Sequence, residues 1–234
     1  MTIHLLEPFF GGSHQRWAEG LKKYSKNEIN ILGLPARHWK WRMHGAAVTL
    51  ARQDHDLPAP DAYLATDMLD LATFKALRNP SQPCYFYFHE NQLTYPWSPA
   101  DEDVQLKRDR HYGWINYTSA LVADKIAFNS EYHRNSFLAA LPRFLQDFPD
   151  FQAADNVDRI TEKSIVLPLG LDFPNLPPPD NKRPHSSPPI LLWNHRWEYD
   201  KNPIAFFEMC YALKERGCPF QLIVLGEKTN KHPP

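Results

Sequence analysis

Six short runs in the first 170 residues are apolar with hardly an alternating polar position: Ile3 to Leu6, Ile29 to Leu34, Ala62 to Ala65, Cys84 to Phe88, Lys125 to Phe128 and Ile165 to Leu169. A strand with one wet face alternates polar and apolar side chains, because successive residues point to opposite sides of the sheet. Most of these runs do not alternate, so they predict strands buried on both faces. The stretches between them have helical periodicity: Trp17, Leu21 and Tyr24 recur at i, i+4 and i+7 behind Ser13 as an N-cap, and Tyr112 to Val122 and Glu131 to Leu145 supply two further helices. Buried strands separated by helices imply a parallel, doubly wound sheet, an α/β Rossmann-like domain.

From Phe173 to Pro189 the pattern stops. Pro174, Pro177, Pro178, Pro179, Pro184, Pro188 and Pro189 alternate with polar residues, which predicts a stiff connector without a core. The expected division is therefore a first domain over 1–173, a linker over 174–189 and the start of a second domain over 190–234. In that last part Ile190 to Trp193 and Phe220 to Leu225 read as strands flanking a helix from Pro203 to Arg216 that Gly217 closes. One βαβ unit of this size cannot enclose its own core, since a free-standing domain needs roughly 50 residues or more. The sequence Gly226 to Pro234 reads as a cut, so the second Rossmann-like domain is expected to be truncated.

Apolar residues make up 43% of the chain and charged residues 23%, enough for a real core. The net charge of -1 means that a nucleic-acid partner must be met by a local basic patch and not by the field of the whole molecule. Cys84, Cys210 and Cys218 are odd in number and form no C-x-x-C pair, which suits core thiols in a reducing compartment. The first residues, Met1-Thr-Ile-His-Leu-Leu-Glu-Pro8, lack a basic region and a long apolar run, so a soluble, cytoplasmic protein without a membrane span is expected. The sequon Asn116-Tyr117-Thr118 is discounted on the same ground.

Four constellations could carry chemistry. Glu7-Pro-Phe-Phe-Gly-Gly-Ser-His14 lies in a strand-to-helix turn, where Gly11 and Gly12 let a backbone approach a phosphate beside a positive helix end, or serve only a tight turn. Phe88-His-Glu-Asn-Gln92 ends a buried strand in charged and amide residues, at the sheet edge where ligands of open parallel sheets bind. Leu93 stands where the zinc motif H-E-x-x-H needs its second histidine, so His89 and Glu90 are not a zinc-protease pair. Arg196 and Lys201 precede a helix that Asn202 would cap and Pro203 begin. Two cations and free N–H groups there can hold a diphosphate, or form a solvated Arg-Glu-Asp-Lys loop. Last, cations and aromatics interleave in Pro35 to Arg42, which suits stacking on bases and pairing with phosphates but is also ordinary for a loop. Asp54-x-Asp56 mimics a metal-binding D-x-D but reads as a solvated loop before Pro58.

Together, the double glycine after the first strand, His89, Asn129-Ser130, Leu167-Pro-Leu-Gly-Leu-Asp172 and the Arg196/Lys201 pair resemble the retaining glycosyltransferases of family 4, which have the GT-B architecture. The strings Glu7 to His14, Leu34 to Arg42, Phe88 to Pro96 and His195 to Lys201 are more specific. They resemble the family of mannosyltransferases that modify queuosine in tRNA, with matches from residue 4 to about 227. The resemblance implies GDP-mannose as donor, queuosine of tRNA(Asp) as acceptor, retention at the anomeric carbon, and no metal or cofactor. It places the donor in a cleft between two Rossmann-like domains. Carried over by position, Arg196 and Lys201 clamp the diphosphate, Gly11 and Gly12 approach it, His89 lies beside the sugar, and Glu90, Asn129 and Ser130 are donor contacts. Arg37, Trp39, Trp41 and Arg42 become contacts to the acceptor tRNA. Such enzymes hold the sugar and ribose with a Glu-x7-Glu segment that would fall after Pro234. Three alternatives stay open: a transferase with another small-molecule or glycan acceptor, a non-catalytic RNA- or partner-binding module, and a sugar-nucleotide epimerase.

Overall fold

The computed structural model describes residues 1–150, 152–171 and 188–226. The chain divides into two compact units, one of Met1–Tyr95 with Lys107–Asp172 and one of Pro96–Leu106 with Phe173–Pro234. The expected linker, apart from Pro188 and Pro189, lies outside the described residues, as do Asp172 and 227–234.

The first unit runs β1 (Thr2–Phe10), α1 (Gly12–Tyr24), β2 (Glu28–Pro35), α2 (Trp39–His55), β3 (Ala62–Thr66), α3 (Leu71–Arg78) and β4 (Cys84–Phe88). After α4 (Glu102–Gln105), which belongs to the second unit, come α5 (Arg110–Val122), β5 (Lys125–Phe128), α6 (Glu131–Gln146), α7 (Asp155–Glu162) and β6 (Ser164–Val166). The six strands lie in the order β2-β1-β3-β4-β5-β6, all parallel. The α/β class and the parallel sheet are those the apolar runs predict.

Both faces of the sheet are used, and the alternation along each strand sorts the side chains. Leu6, Phe86, Phe88 and Phe128 enter a core that Leu50 of α2, Phe74 of α3, Ala120 of α5 and Phe137 of α6 complete. Phe88 stacks on Phe128 with ring centroids 4.7 Å apart. On the other face Leu5 and Ile29 meet Ala18 of α1, with Trp17 and Leu21 packed around them. Each fully buried Leu or Phe contributes about 1.5–3 kcal/mol, so this double layer is the main source of stability. The chain turns from β1 to β2 on one side and then crosses to β3 on the other. The switch in winding falls between β1 and β3, which opens a crevice at their carboxyl ends.

Several local expectations need correction. Trp39 to Arg42 are the first turn of the helix α2 and not a loop. The buried residues of α2, Met43, Ala46, Ala47, Leu50, Ala51 and Asp54, follow helical spacing, but alanines carry the stripe and an aspartate ends it. Asp54 is accordingly no loop residue. It is buried, and its carboxylate takes His4 Nδ1 at 2.5 Å, the Tyr63 hydroxyl at 2.8 Å and Arg78 Nε at 2.6 Å. Ser13 lies inside α1, whose N-cap is Gly11 without a side-chain bond, and Tyr24 is exposed. β6 stops at Val166, short of Leu169. Cys84 and Cys210 are buried, whereas Cys218 is exposed.

In the second unit β7 (Ile190–Asn194) pairs in parallel with β8 (Gln221–Leu225), joined through a 3-10 turn (Tyr199–Lys201) and α8 (Pro203–Glu215). Trp193 is its buried centre, 4.9 Å from Phe206, while Trp197 stacks on Phe207 at 5.5 Å. Leu192, Ile223, Val224 and Leu225 stay exposed among the described residues, as a lone βαβ unit requires. No described helix is long and apolar enough to cross a membrane.

Candidate functional site

Four strand ends of the first unit converge. β1 leaves its pairing with β3 after Leu6, just before Glu7, β3 runs into Asp67, β4 into His89 and β5 into Asn129, all on the carboxyl edge of the sheet. His89 follows Tyr87 by two residues and so faces the α1 side, where its ring meets Trp17 at 4.6 Å, Tyr87 at 4.9 Å and His14 at 4.5 Å. Its backbone is held at both ends. The His89 N–H donates to Asp67 Oδ1 at 2.8 Å, and its carbonyl accepts from Asn129 Nδ2 at 2.8 Å.

The carboxylate of Glu7 is buried and divided between two partners. Oε1 accepts from the Phe9 N–H at 2.9 Å, and Oε2 faces His14 Nδ1 at 3.3 Å. Burial opposes a charge on His14, but the hydrogen bond and charge of Glu7, with Asp67 and Glu90 behind it, raise its pKa to about 9. His14 is thus an imidazolium at neutral pH. His89 is driven the opposite way: burial, then the charges of His14 and His133, lower it to about 3, so its ring is neutral. Its Nε2 is buried without a hydrogen-bond partner. Asp67, fully enclosed, is pushed above the usual carboxylate range by burial and by Glu90 and Glu7, against the pull of His14 and the His89 N–H.

Ligand atoms of Glu7, His14 and His89 lie within 4.8 Å of one another, the spacing of a possible cation site. A metal bound there would have to displace the proton of His14, because a ligating imidazole nitrogen must be unprotonated. What the set presents more directly is a cation, a neutral His89 ring whose Nε2 has no partner, and a helix end. α1 starts with no side-chain cap and no acidic residue in its first turn, which leaves its N–H groups to an anion.

The two glycines differ. Gly12 is left-handed, with φ +56°, and a Cβ there would meet nothing within 4 Å, so its outer side is open. Gly11 is extended, and a Cβ on it would fall 2.4 Å from the Cβ of Ala36. Gly11 therefore serves the close packing of the turn against the end of β2.

The remaining residues singled out from sequence, Arg37 apart, have internal partners. Besides holding His89, Asn129 takes His133 Nδ1 and the Ser130 hydroxyl on its Oδ1, at 3.0 and 3.3 Å, while Ser130 caps α6 by accepting from the His133 N–H at 3.2 Å. Glu90 is half-buried and accepts from Gln92 Nε2 at 3.3 Å. Arg42 donates to the Pro35 carbonyl, Trp39 lies against Tyr112 at 5.1 Å, Trp41 is exposed over Gly45, and Arg37 is exposed.

In the second unit the cations are already paired. Arg196 Nη2 lies 3.1 Å from Glu198 Oε2, and Lys201 Nζ 2.7 Å from Asp200 Oδ2. Asn202 has positive φ and gives no side-chain cap, while Pro203 starts α8 as expected. Gly226, after β8, passes so close to the His195 carbonyl that a Cβ would lie 2.2 Å from its oxygen.

Sequence reasoning missed Asp67, Asn116 and the pairing of Glu7 with His14. Asp67 carries the same signal that marked His89, a polar residue where a buried strand ends. Asn116 is fully buried, accepting from the Gln92 N–H at 2.8 Å and donating to the Asp67 carbonyl at 2.9 Å, so the sequon amide is consumed inside the fold. No local pattern signals that role.

Comparison with known proteins adds an independent line. The family model described as "tRNA-queuosine alpha-mannosyltransferase N-terminal" matches residues 2–171. A Drosophila melanogaster protein named "tRNA-queuosine alpha-mannosyltransferase" is 33% identical over 99% of this chain; the chain spans 63% of that protein's length. Among solved structures, Arabidopsis thaliana UGT89C1 complexed with UDP-L-rhamnose aligns with a TM-score of 0.40 and 14% identity, covering 97% of this chain and 69% of its own.

Proposed function

Since the chain belongs to the tRNA-queuosine alpha-mannosyltransferase N-terminal family, we propose that it serves the transfer of mannose from GDP-mannose to the cyclopentenediol of queuosine in tRNA(Asp), with retention, in a GT-B enzyme. The observation that carries this reading is the Glu7, His14 and His89 cluster at the carboxyl edge of the sheet, beside Gly12 and the uncapped start of α1. That edge, at a winding switch, is where open parallel sheets bind nucleotides and sugars.

In this reading each group has a chemical task. The neutral His89 uses its unfilled Nε2 to accept a hydroxyl of the mannosyl unit, and Asp67 and Asn129 fix its backbone for that contact. His14 keeps a positive charge at neutral pH because Glu7 holds its proton, and with the N–H groups of α1 it faces the donor phosphates through the opening at Gly12. When the C–O bond to the sugar breaks, negative charge grows on the diphosphate; His14 and the N–H groups of α1 meet it within the first unit, and the family resemblance separately assigns Arg196 and Lys201 to phosphate binding. Both sit in exposed or partly exposed pairs, worth about 1 kcal/mol or less, which a dianionic diphosphate can displace. GDP-mannose carries its sugar in the α configuration, so an α-linked product requires retention. Fixed cations meet the leaving charge, so no divalent metal is required and a chelator leaves turnover unchanged.

Purified protein incubated with labelled GDP-mannose and two tRNA(Asp) preparations, with queuosine and with guanosine at the modified position, tests this. Label on the queuosine-containing tRNA alone supports the proposal. Label only on free sugars or small molecules, or free nucleotide release without transfer, contradicts it.

A further inference from the structure

Two segments far apart in sequence form one cationic, aromatic surface on the first unit. Arg37–His44 and Lys107–Trp114 hold six Lys and Arg residues and a single acid, Asp109, in a chain whose net charge is -1. Three ring contacts join them: Trp39 meets Tyr112 at 5.1 Å, His44 stacks on His111 at 4.9 Å, and His44 lies 5.6 Å from Tyr112. Both segments sit at the same edge of the sheet as His89. α2 begins four residues after β2 ends at Pro35, and α5 ends within three residues of the start of β5, so its first turn lies at the carboxyl edge.

Beside this junction is a groove of about 430 Å³ lined by Lys107, Arg108, Arg110, His111, Trp114 and Phe148. Its floor is aromatic, with Trp114 packed edge-on against Phe148 at 4.9 Å and still 42% exposed. Its rim is cationic. Lys107 and Arg108 are exposed and have no ion pair or hydrogen bond among the described residues, while Arg110 pairs with Asp147. A large ring left half open under unpaired cations is poorly explained by folding, because it leaves apolar area in water and concentrates like charge.

We infer that the groove of Lys107, Arg108, His111 and Trp114, continuous with the Arg37–Arg42 turn, holds a single-stranded RNA loop, with an unstacked base on Trp114 and the flanking phosphates on Lys107 and Arg108. Aromatic platforms bordered by cations are how unpaired nucleotides are gripped, since every base has a face to stack and every linkage a charge. A protein or membrane surface fits less well: the rim is cationic, and the apolar part is confined to the two edge-on rings of Trp114 and Phe148. The inference rests on the reading of tRNA as acceptor and extends it, by assigning the contact with the loop that carries the modified base to residues outside the sugar-transfer cluster.

Binding of a fluorescent RNA stem-loop with a seven-nucleotide loop, followed by anisotropy at two salt concentrations, tests it. The double variant K107E/R108E should bind at least ~10-fold more weakly, with a shallower salt dependence. Trp114→Ala should lose ~10-fold with the salt dependence unchanged, as expected for stacking. The charge-matched K22E/K23E, on the exposed last turn of α1, should bind within about twofold of wild type once its melting point is confirmed. Wild-type affinity in K107E/R108E overturns the inference, and if that variant also mannosylates queuosine-containing tRNA with an unchanged KM, the proposed function stands without it. Absence of transfer by wild type removes the proposed function, while the anisotropy still decides whether the groove binds RNA.

Discussion

His14 holds its Nδ1 3.3 Å from the buried Oε2 of Glu7, and this pairing sets the charges at the head of the sheet. It keeps one imidazole positive 4.5 Å from another, His89, that is kept neutral. Two histidines in contact thus have opposite proton linkage. For His14 the folded pKa, about 9, exceeds the unfolded value of about 6.5, so its stabilisation is complete below pH 6.5 and is lost as pH rises through 9. For His89 the folded value is about 3, so the unfolded chain takes up the proton first and stability falls as pH drops from 6.5 toward 3. Burial of His133, lowered to about 4, adds to the same acid limb, each group costing about 1.4 kcal/mol per pH unit. Urea unfolding across pH 4 to 10 should show both limbs; His14→Gln should flatten the alkaline one and His89→Gln the acid one. An alkaline limb undiminished by His14→Gln would show that Glu7 does not hold the proton there, since Asp67 and Cys84, both raised by burial, contribute only the remainder of that limb.

Asp54 ties His4, Tyr63 and Arg78 together under the sheet. Asp54→Ala leaves a guanidinium and two polar groups without their buried partner, a loss of about 3–5 kcal/mol. The midpoint of urea denaturation measures it. A change under about 1 kcal/mol would mean that the cluster is hydrated and weakly coupled.

Gly11 and Gly12 should respond differently to alanine. Gly11→Ala drives a methyl into Ala36 and should destabilise by about 1–3 kcal/mol, with partial rescue by Ala36→Gly. Gly12→Ala meets open space and should cost only about 1–2 kcal/mol, the left-handed strain. If Gly12 borders the donor phosphates, its variant should also raise the KM for GDP-mannose, whereas Gly11→Ala acts through stability alone. Melting curves beside donor titrations separate the two.

The fold was legible because the strands are buried on both sides, and uniformly apolar runs such as Cys84–Phe88 stand out against any helix. α2 was not, because half of its buried stripe is alanine and its start is crowded with tryptophan and cations. His89 was found from its place at a strand end. Asp67, at the equivalent place on β3, was not, because a single acid after Thr66 has no charged neighbours to mark it. Asn116, which braces the loop after β4, is invisible in sequence, since its partners lie 24 and 49 residues away. The Arg37–Arg42 turn was recognised, but the groove it continues into depends on α5 coming alongside, a long-range contact.

Cys218 is exposed, while Cys84 and Cys210 are buried and burial pushes the Cys84 thiol up to about 11. A thiol reagent at pH 8 should label Cys218 rapidly in the native protein and the other two only after denaturation. Fast labelling of Cys84 would contradict the packing of β4 against β3 and β5.

The most direct measurement of the central claim is the rate of labelled mannose transfer from GDP-mannose to queuosine-containing tRNA(Asp) by wild type, His89→Ala and His14→Gln, with melting points and tRNA affinity recorded for each. The account predicts transfer by wild type and a loss of ~100-fold or more in kcat for both variants, with folding and tRNA binding retained. Wild-type rates in the two variants, or transfer to tRNA that lacks queuosine, would contradict it.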